Sequence, residues 1–301
     1  MAQKQFGPGS AEAPASSGPA TVRGNGRSVR ELQRLSVRLR QRLLRIIFEA
    51  KGGHTGGSLS SVDILVALYF HVMRHDPSRP DWAERDRFVL SKGHSVEGYY
   101  CTLAEAGYFP VTELDTYGKF NSRLFGHPTM KTPGVEVPTG ALGHGLSVGV
   151  GMAIAGMRDR ASYRVYVLMG DGEQAEGSIW EAAMSASHYR LANLIGIIDY
   201  NNLQISGAVD SVMRISPLTE RWSSFGWKVH EVDGNDMGQL VGLLDLLPDD
   251  PERPHLVVAR TVKGKGVSFM ENNAAWHHRL PTPREFEQAQ AELAALVEKD
   301  G

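Results

Sequence analysis

The chain has 301 residues, 42% of them apolar, with a formal net charge of −2 and an isoelectric point near 6.6. That length can bury a full core, the charge balance supplies no basic field for nucleic acid or anionic membranes, and apolar runs such as 165–169 and 194–198 are strand-length, with none approaching the roughly 20 residues of a membrane span. A lone cysteine, Cys101, excludes an internal disulfide framework and sits in an apolar stretch as a small buried residue; with no leader-like segment before the first helix, the expectation is a soluble, cytoplasmic protein without nucleic-acid or membrane partners.

Residues 1–27 are crowded with Gly, Ala, Ser and Pro and are expected to form a disordered tail, leaving one domain over 28–301. From Ser28 the apolar positions Leu32, Leu35, Leu39, Leu43, Ile46 and Ile47 recur at three-to-four spacing, which predicts a helix ending at Gly52 and Gly53. A second helix is predicted from Ser60, as its cap, to His71. Strand-type runs at 87–90, 164–169, 194–199, 228–232 and 256–261 then alternate with helical patterns at 96–105, 180–188, 218–225 and 237–246, and an amphipathic helix over 281–299 closes the chain with Leu293, Leu296 and Val297 on its apolar side. Strands separated by helices predict an α/β fold, a parallel sheet with helices on both faces, and ligands in such folds bind in loops at the carboxyl ends of the strands.

The most informative stretch is Val165-Tyr-Val-Leu-Met-Gly-Asp-Gly172, an apolar strand ending in a tight turn with a carboxylate at its tip. About thirty residues on, a second strand ends in Asp199, Tyr200, Asn201 and Asn202. That spacing suits one β-α-β unit, which places the Asn201 amide beside Asp171 when the strands are neighbours. A carboxylate, an amide carbonyl and a backbone carbonyl are hard oxygen ligands, suited to Mg²⁺ or Ca²⁺ with positions left for phosphate oxygens. Alone, a Gly-Asp-Gly triplet is an ordinary turn; the paired strand ends give it meaning.

The combination resembles the thiamine diphosphate motif, which implies a metal held by the side chains of Asp171 and Asn201 and the carbonyl of Leu203, with Gly170 and Gly172 beside the diphosphate. Four further segments resemble transketolase, in order, along most of 50–280. Lys51-Gly-Gly-His-Thr-Gly-Gly57 and Phe125-Gly-His-Pro128 imply substrate-facing histidines, His54 and His127. Ser91-Lys-Gly-His94 implies a diphosphate contact at His94, and Thr139-Gly-Ala-Leu-Gly-His-Gly145 a shelf of Gly140, Ala141 and Leu142 beneath the cofactor rings. Trp276-His277 implies that His277 touches both diphosphate and substrate, with His278 as its adjacent rival. Imidazoles suit a reaction that moves protons beside a breaking carbon–carbon bond at neutral pH. His71, His75, His188, His230 and His255 are read as ordinary surface or packing residues. Lys263-Gly-Lys-Gly266 lacks the spacing of a nucleotide loop and is assigned no ligand.

The resemblance implies the thiamine diphosphate-binding (PP-domain) fold, thiamine diphosphate with Mg²⁺ (Ca²⁺ or Mn²⁺ as alternatives), and transfer of a two-carbon ketol unit from a ketose, as its phosphate, to an aldose. His144, Thr55 and Asn202 stand where the family usually carries Gln, Pro and Gly; none removes a metal ligand. Glu176 matches an inter-subunit carboxylate, read as a relay between paired sites or as a helix-start acid. The family's pyrimidine-binding domain, with its catalytic glutamate and sugar-phosphate grip, cannot be fitted after His277. A second transketolase subunit is therefore expected, in an α2β2 heterotetramer, against the alternatives of a truncated relic, the alpha subunit of a 2-oxo acid dehydrogenase, and a non-catalytic scaffold.

Overall fold

A computed structural model describes residues 26–299. The expected tail lies outside the described residues except for Gly26 and Arg27, whose guanidinium sits 4.8 Å over the Phe70 ring. In chain order the elements are α1 (Val29–Ala50), α2 (Thr55–Ala67), β1 (Arg87–Leu90), α3 (Val96–Ala106), α4 (His144–Asp159), β2 (Val165–Gly170), α5 (Gly177–His188), β3 (Leu194–Tyr200), β4 (Leu203–Gln204), β5 (Gly207–Ala208), α6 (Val209–Val212), α7 (Leu218–Ser224), β6 (Lys228–Asp233), α8 (Met237–Leu246), β7 (His255–Arg260) and α9 (Pro283–Lys299). Helix α1 begins where the sequence predicts because Ser28 and Glu31 form a reciprocal capping box.

Five strands pair in parallel in the order β1-β2-β3-β7-β6. Side chains alternate between two cores. Phe88, Leu90, Tyr166, Leu168, Ile195, Ile197 and Val257 face α1, α2, α3, α8 and α9, whereas Val89, Val165, Val167, Met169, Leu194, Ile198 and Val258 face α4, α5 and α7. Both faces are therefore covered, which is why each central strand reads as an unbroken apolar run. Leu43 of α1 is wholly buried. Leu43→Ala is expected to lower unfolding stability by about 2–5 kcal/mol, mostly as a cavity cost, measured as a shifted urea midpoint at unchanged slope.

Two expectations change. Helix α2 starts at Thr55 rather than Ser60, because all thirteen of its residues are buried and the segment shows no polar face to mark its start; the Ser60 hydroxyl instead donates to Gly57 O and to Asp199 Oδ2 at 2.6 Å. In α9, Leu293 is buried and Val297 packs on the core, but Leu296 is 38% exposed, and Ala289 takes the place it was given on the apolar side. Among the described residues no helix is long and apolar enough to cross a membrane.

Candidate active site

Loops leaving the carboxyl ends of β1, β2, β3 and β7 enclose a cleft of about 400 Å³. Its lining brings together Lys92 and His94 after β1, Gly170, Asp171 and Gly172 after β2, Asn201 and Leu203 after β3, Lys263 and His277 after β7, and Gly140 and Leu142 from the loop before α4. Ala141 is the one predicted shelf residue placed elsewhere, in a shallow recess with Thr139 and His144.

Strands β2 and β3 are neighbours in register Gly170↔Asp199, so the turns that follow them meet. Asp171 accepts from the backbone N–H of Gly172 at 2.7 Å, Asn201 at 2.9 Å and Asn202. Asn202 has φ +61°, a left-handed conformation that Asn tolerates better than most residues when Gly is absent. The Asn201 side-chain oxygen accepts from Leu203 N–H at 3.1 Å. Asp171 is 3% exposed, yet its hydrogen-bond partners are all backbone N–H groups and, among the described residues, no basic side chain lies within ion-pair distance of it. Burial first, then the nearby Asp199, pushes its pKa up to about 6. A buried carboxylate with no ion-pair partner, only partly offset by the charge of Lys263, beside an amide oxygen and a carbonyl, is a donor set that fits a hard divalent ion. The Leu203 carbonyl already attracts a cation: Lys263 Nζ donates to it at 2.9 Å.

The remaining wall is basic. Lys92 is buried in an ion pair with Asp199 and also donates to Gly57 O at 3.0 Å. Lys263, 2% exposed, approaches His277 Nδ1 at 3.1 Å, and burial, with the charge of Lys92, pushes its pKa down to about 8. A diphosphate in the cleft would supply an anion for Lys263, which forms no ion pair among the described residues.

Above this floor four imidazoles gather around His54, with ring centroids 5.4 Å away at His94, 6.1 Å at His127, 5.7 Å at His277 and 4.7 Å at His278. His54 Nδ1 is buried without a hydrogen-bond partner, and its backbone is held by Glu97, which accepts from His54 N–H at 3.0 Å, Ser58 Oγ at 2.7 Å and Tyr117 OH at 2.6 Å. Gly140 permits the His127 ring to lie against the shelf: it has φ +144°, and a Cβ there would meet His127 Cδ2 at 2.6 Å. Burial, with His278 and His127 nearby, pushes His54 down to about 4 from an ordinary 6.5. Between those values the unfolded chain takes up a proton that the folded chain refuses, so stability is full above pH 6.5 and falls as the pH drops toward 4. Thermal melting across that range is expected to fall less steeply for His54→Gln than for the parent; parallel curves would contradict it.

The family of the transketolase thiamine diphosphate binding domain matches residues 33–294. The chain belongs to the transketolase family. It is 50% identical over 271 residues to a subunit of the apulose-4-phosphate transketolase of Phocaeicola vulgatus, covering 90% of this chain and 96% of that one. To a 6-deoxy-6-sulfo-D-fructose transketolase subunit of a Clostridium species it is 41% identical over 272 residues, 90% and 98% of the two chains. The crystal structure of Campylobacter jejuni transketolase superposes with a TM-score of 0.83 at 29% identity, covering 87% of this chain and 42% of that one. The chain thus spans less than half of that solved transketolase.

Within this transketolase chain, every cofactor and metal residue expected from sequence except Ala141 lines the cleft, His54 and His127 stand over it, and His277 rather than the exposed His278 reaches its wall. Glu176 is exposed at the cleft margin. Thr55 Oγ1 donates to Arg279 O at 3.2 Å, so its hydroxyl ties the early histidine loop to the late one. Sequence reasoning missed Lys92, Glu97, Glu173, Asp199 and Lys263. Glu173 is buried and binds Ser91 Oγ, Gly143 N–H at 2.8 Å and Gly170 N–H at 3.0 Å, fastening three cleft loops together. For Lys92, Glu97 and Asp199 the available signal was a lone charge inside an otherwise apolar or Gly-rich stretch.

Proposed function

We propose that this chain is the diphosphate- and metal-binding subunit of a split, cytoplasmic transketolase, completed by a second subunit in an α2β2 assembly. The carrying observation is the buried Asp171 carboxylate, which has no ion-pair contact and shares the cleft wall with Asn201 and Leu203. In this reading those three groups hold Mg²⁺, and through it the diphosphate of thiamine diphosphate. When bound, the cofactor supplies a carbon nucleophile and an electron sink for the cleaved two-carbon unit. The residues do the rest. Lys263 and the neutral His94 face the diphosphate, Gly140 and Leu142 support the rings, and Glu97 fixes the loop that presents His54. His54, His127 and His277 then exchange protons with the hydroxyl and carbonyl groups of the ketose.

Three observations support a partner. Two relatives whose names make them one subunit of a larger transketolase are matched along 96% of their length. Beside the cleft, Ile205, Val212 and Met213 are 67%, 46% and 60% exposed, an apolar lip suited to a covering chain. Glu176 stands on that same margin as the proposed relay. The relatives are named for apulose 4-phosphate and 6-deoxy-6-sulfo-D-fructose, so apulose 4-phosphate is the first donor to assay, followed by xylulose 5-phosphate and fructose 6-phosphate. Ketol transfer to an aldose is expected only when the partner chain is added. Turnover by the purified chain alone would refute the split, and cofactor binding without turnover for any partner or ketose would make the chain a scaffold.

A further inference from the structure

At the amino end of the sheet, opposite the cleft, three potential ligands converge from three segments. His255 opens β7, His230 lies two residues into β6, and Asp249 belongs to the connection between α8 and β7. Asp249 Oδ1 lies 3.3 Å from His255 Nδ1 and 3.5 Å from His230 Nε2, and the three donor atoms all fall within 4.8 Å of one another. Zinc bonds of about 2.0–2.2 Å at tetrahedral angles separate neighbouring donor atoms by about 3.3–3.6 Å. Both edges through Asp249 match that spacing.

The hydrogen bonding points the same way. His255 is wholly buried, and its Nε2 faces Asp250 O at 3.1 Å, which makes Nε2 the N–H and leaves Nδ1 with its lone pair. Nδ1 therefore faces the Asp249 carboxylate as acceptor against acceptor, and it forms no hydrogen bond; neither does the buried His230 Nε2. The second carboxylate oxygen, Oδ2, is taken by Lys228 Nζ at 2.6 Å, which turns Oδ1 toward the two rings. The Asp250 carbonyl on the remote ring nitrogen and the lysine on the remote carboxylate oxygen are the outer contacts that orient metal ligands. Asp249, 34% exposed, leaves an open side for ion entry and a fourth ligand.

We propose that His230, Asp249 and His255 form a second metal site, taking Zn²⁺ or a divalent ion of that class with water in the fourth position. Two imidazoles and a carboxylate select such an ion over Mg²⁺. The ion ties the edge strand β6 and the 247–254 connection to β7, so it acts on the stability of the sheet edge and not on the cleft.

The test is Zn²⁺ titration of the chelator-stripped chain against a chromophoric competitor, for the parent, Asp249→Asn, His230→Gln and His54→Gln. The last variant reports zinc captured by the cleft histidines. One equivalent weakened about 100-fold or more in Asp249→Asn and His230→Gln but kept in His54→Gln is expected, together with a Zn²⁺-dependent rise in melting temperature that both site variants lack. A folded Asp249→Asn that binds zinc like the parent, an equivalent lost only in His54→Gln, or no zinc binding at all would each overturn the proposal. In the last case the pair is an ordinary buried histidine beside a carboxylate.

Discussion

Asp171→Ala is expected to abolish retention of thiamine diphosphate and to lower ketol transfer by the assembled enzyme about 1,000-fold or more. Removing a directly bound carboxylate should exceed the 10–100-fold loss typical of outer contacts to a metal. The carboxylate has two functions, because it also gathers the N–H groups of Gly172, Asn201 and Asn202, so alanine loosens the turn as well as deleting a ligand. Asp171→Asn separates them in part: its one amide oxygen can still accept from Asn201 and Asn202 N–H, which share Oδ2, while Gly172 N–H loses its acceptor and the charge is gone. Retention by equilibrium dialysis should fail in both variants, while melting temperature falls mainly in the alanine variant. Unchanged cofactor affinity in either would contradict the assignment of Asp171 to the metal.

Asp199→Ala is expected to cost about 3–5 kcal/mol of stability, because it strands the Lys92 ammonium in the interior. Asp199 is wholly buried, and its carboxylate is shared among Lys92, Ser60 Oγ at 2.6 Å and Thr261 Oγ1. Burial is the largest influence and would raise its pKa; the adjacent Lys92 and the hydroxyls of Ser60 and Thr261 together outweigh that and hold it below the usual carboxylate range. Such a group contributes stability above the ordinary carboxylate pKa that is lost as the pH falls through the lowered one. The penalty belongs to the broken pair and not to the missing attraction. Lys92→Met with Asp199→Leu should therefore recover much of the loss in urea unfolding, whereas additive losses would show that the two charges act independently. Lys92 also lines the cleft, so the double variant should regain stability without regaining cofactor binding.

The strands were legible because burial on both faces writes them as apolar runs: β2 is displaced by one residue at each end from its predicted bounds, and β3 runs one residue further at its carboxyl end. The start of α2 was not, because a helix buried on every side shows no amphipathic period and its Gly56 and Gly57 read as loop. Gly56 is there for packing: a Cβ would stand 3.0 Å from Trp276 O. At the site, Asp171 and Asn201 could be paired from sequence because a single β-α-β unit separates them. Lys92 and Asp199 could not, because they lie 107 residues apart and meet only after β1, β2 and β3 have assembled. Lys263 was assigned no ligand, since the cavity that gives it meaning is built by residues from several distant segments. His230 and His255 read as packing residues because their shared neighbour, Asp249, is brought to them by a connection without regular structure.

The central claim is that this chain carries the diphosphate and metal end of a cofactor site finished by another polypeptide. Calorimetric titration of thiamine diphosphate with Mg²⁺ tests it most directly, first into this chain alone and then into its mixture with the product of the adjacent reading frame. Tight binding that appears only in the mixture, at one cofactor per pair of chains, is the predicted result. Absence of binding in both titrations would contradict it.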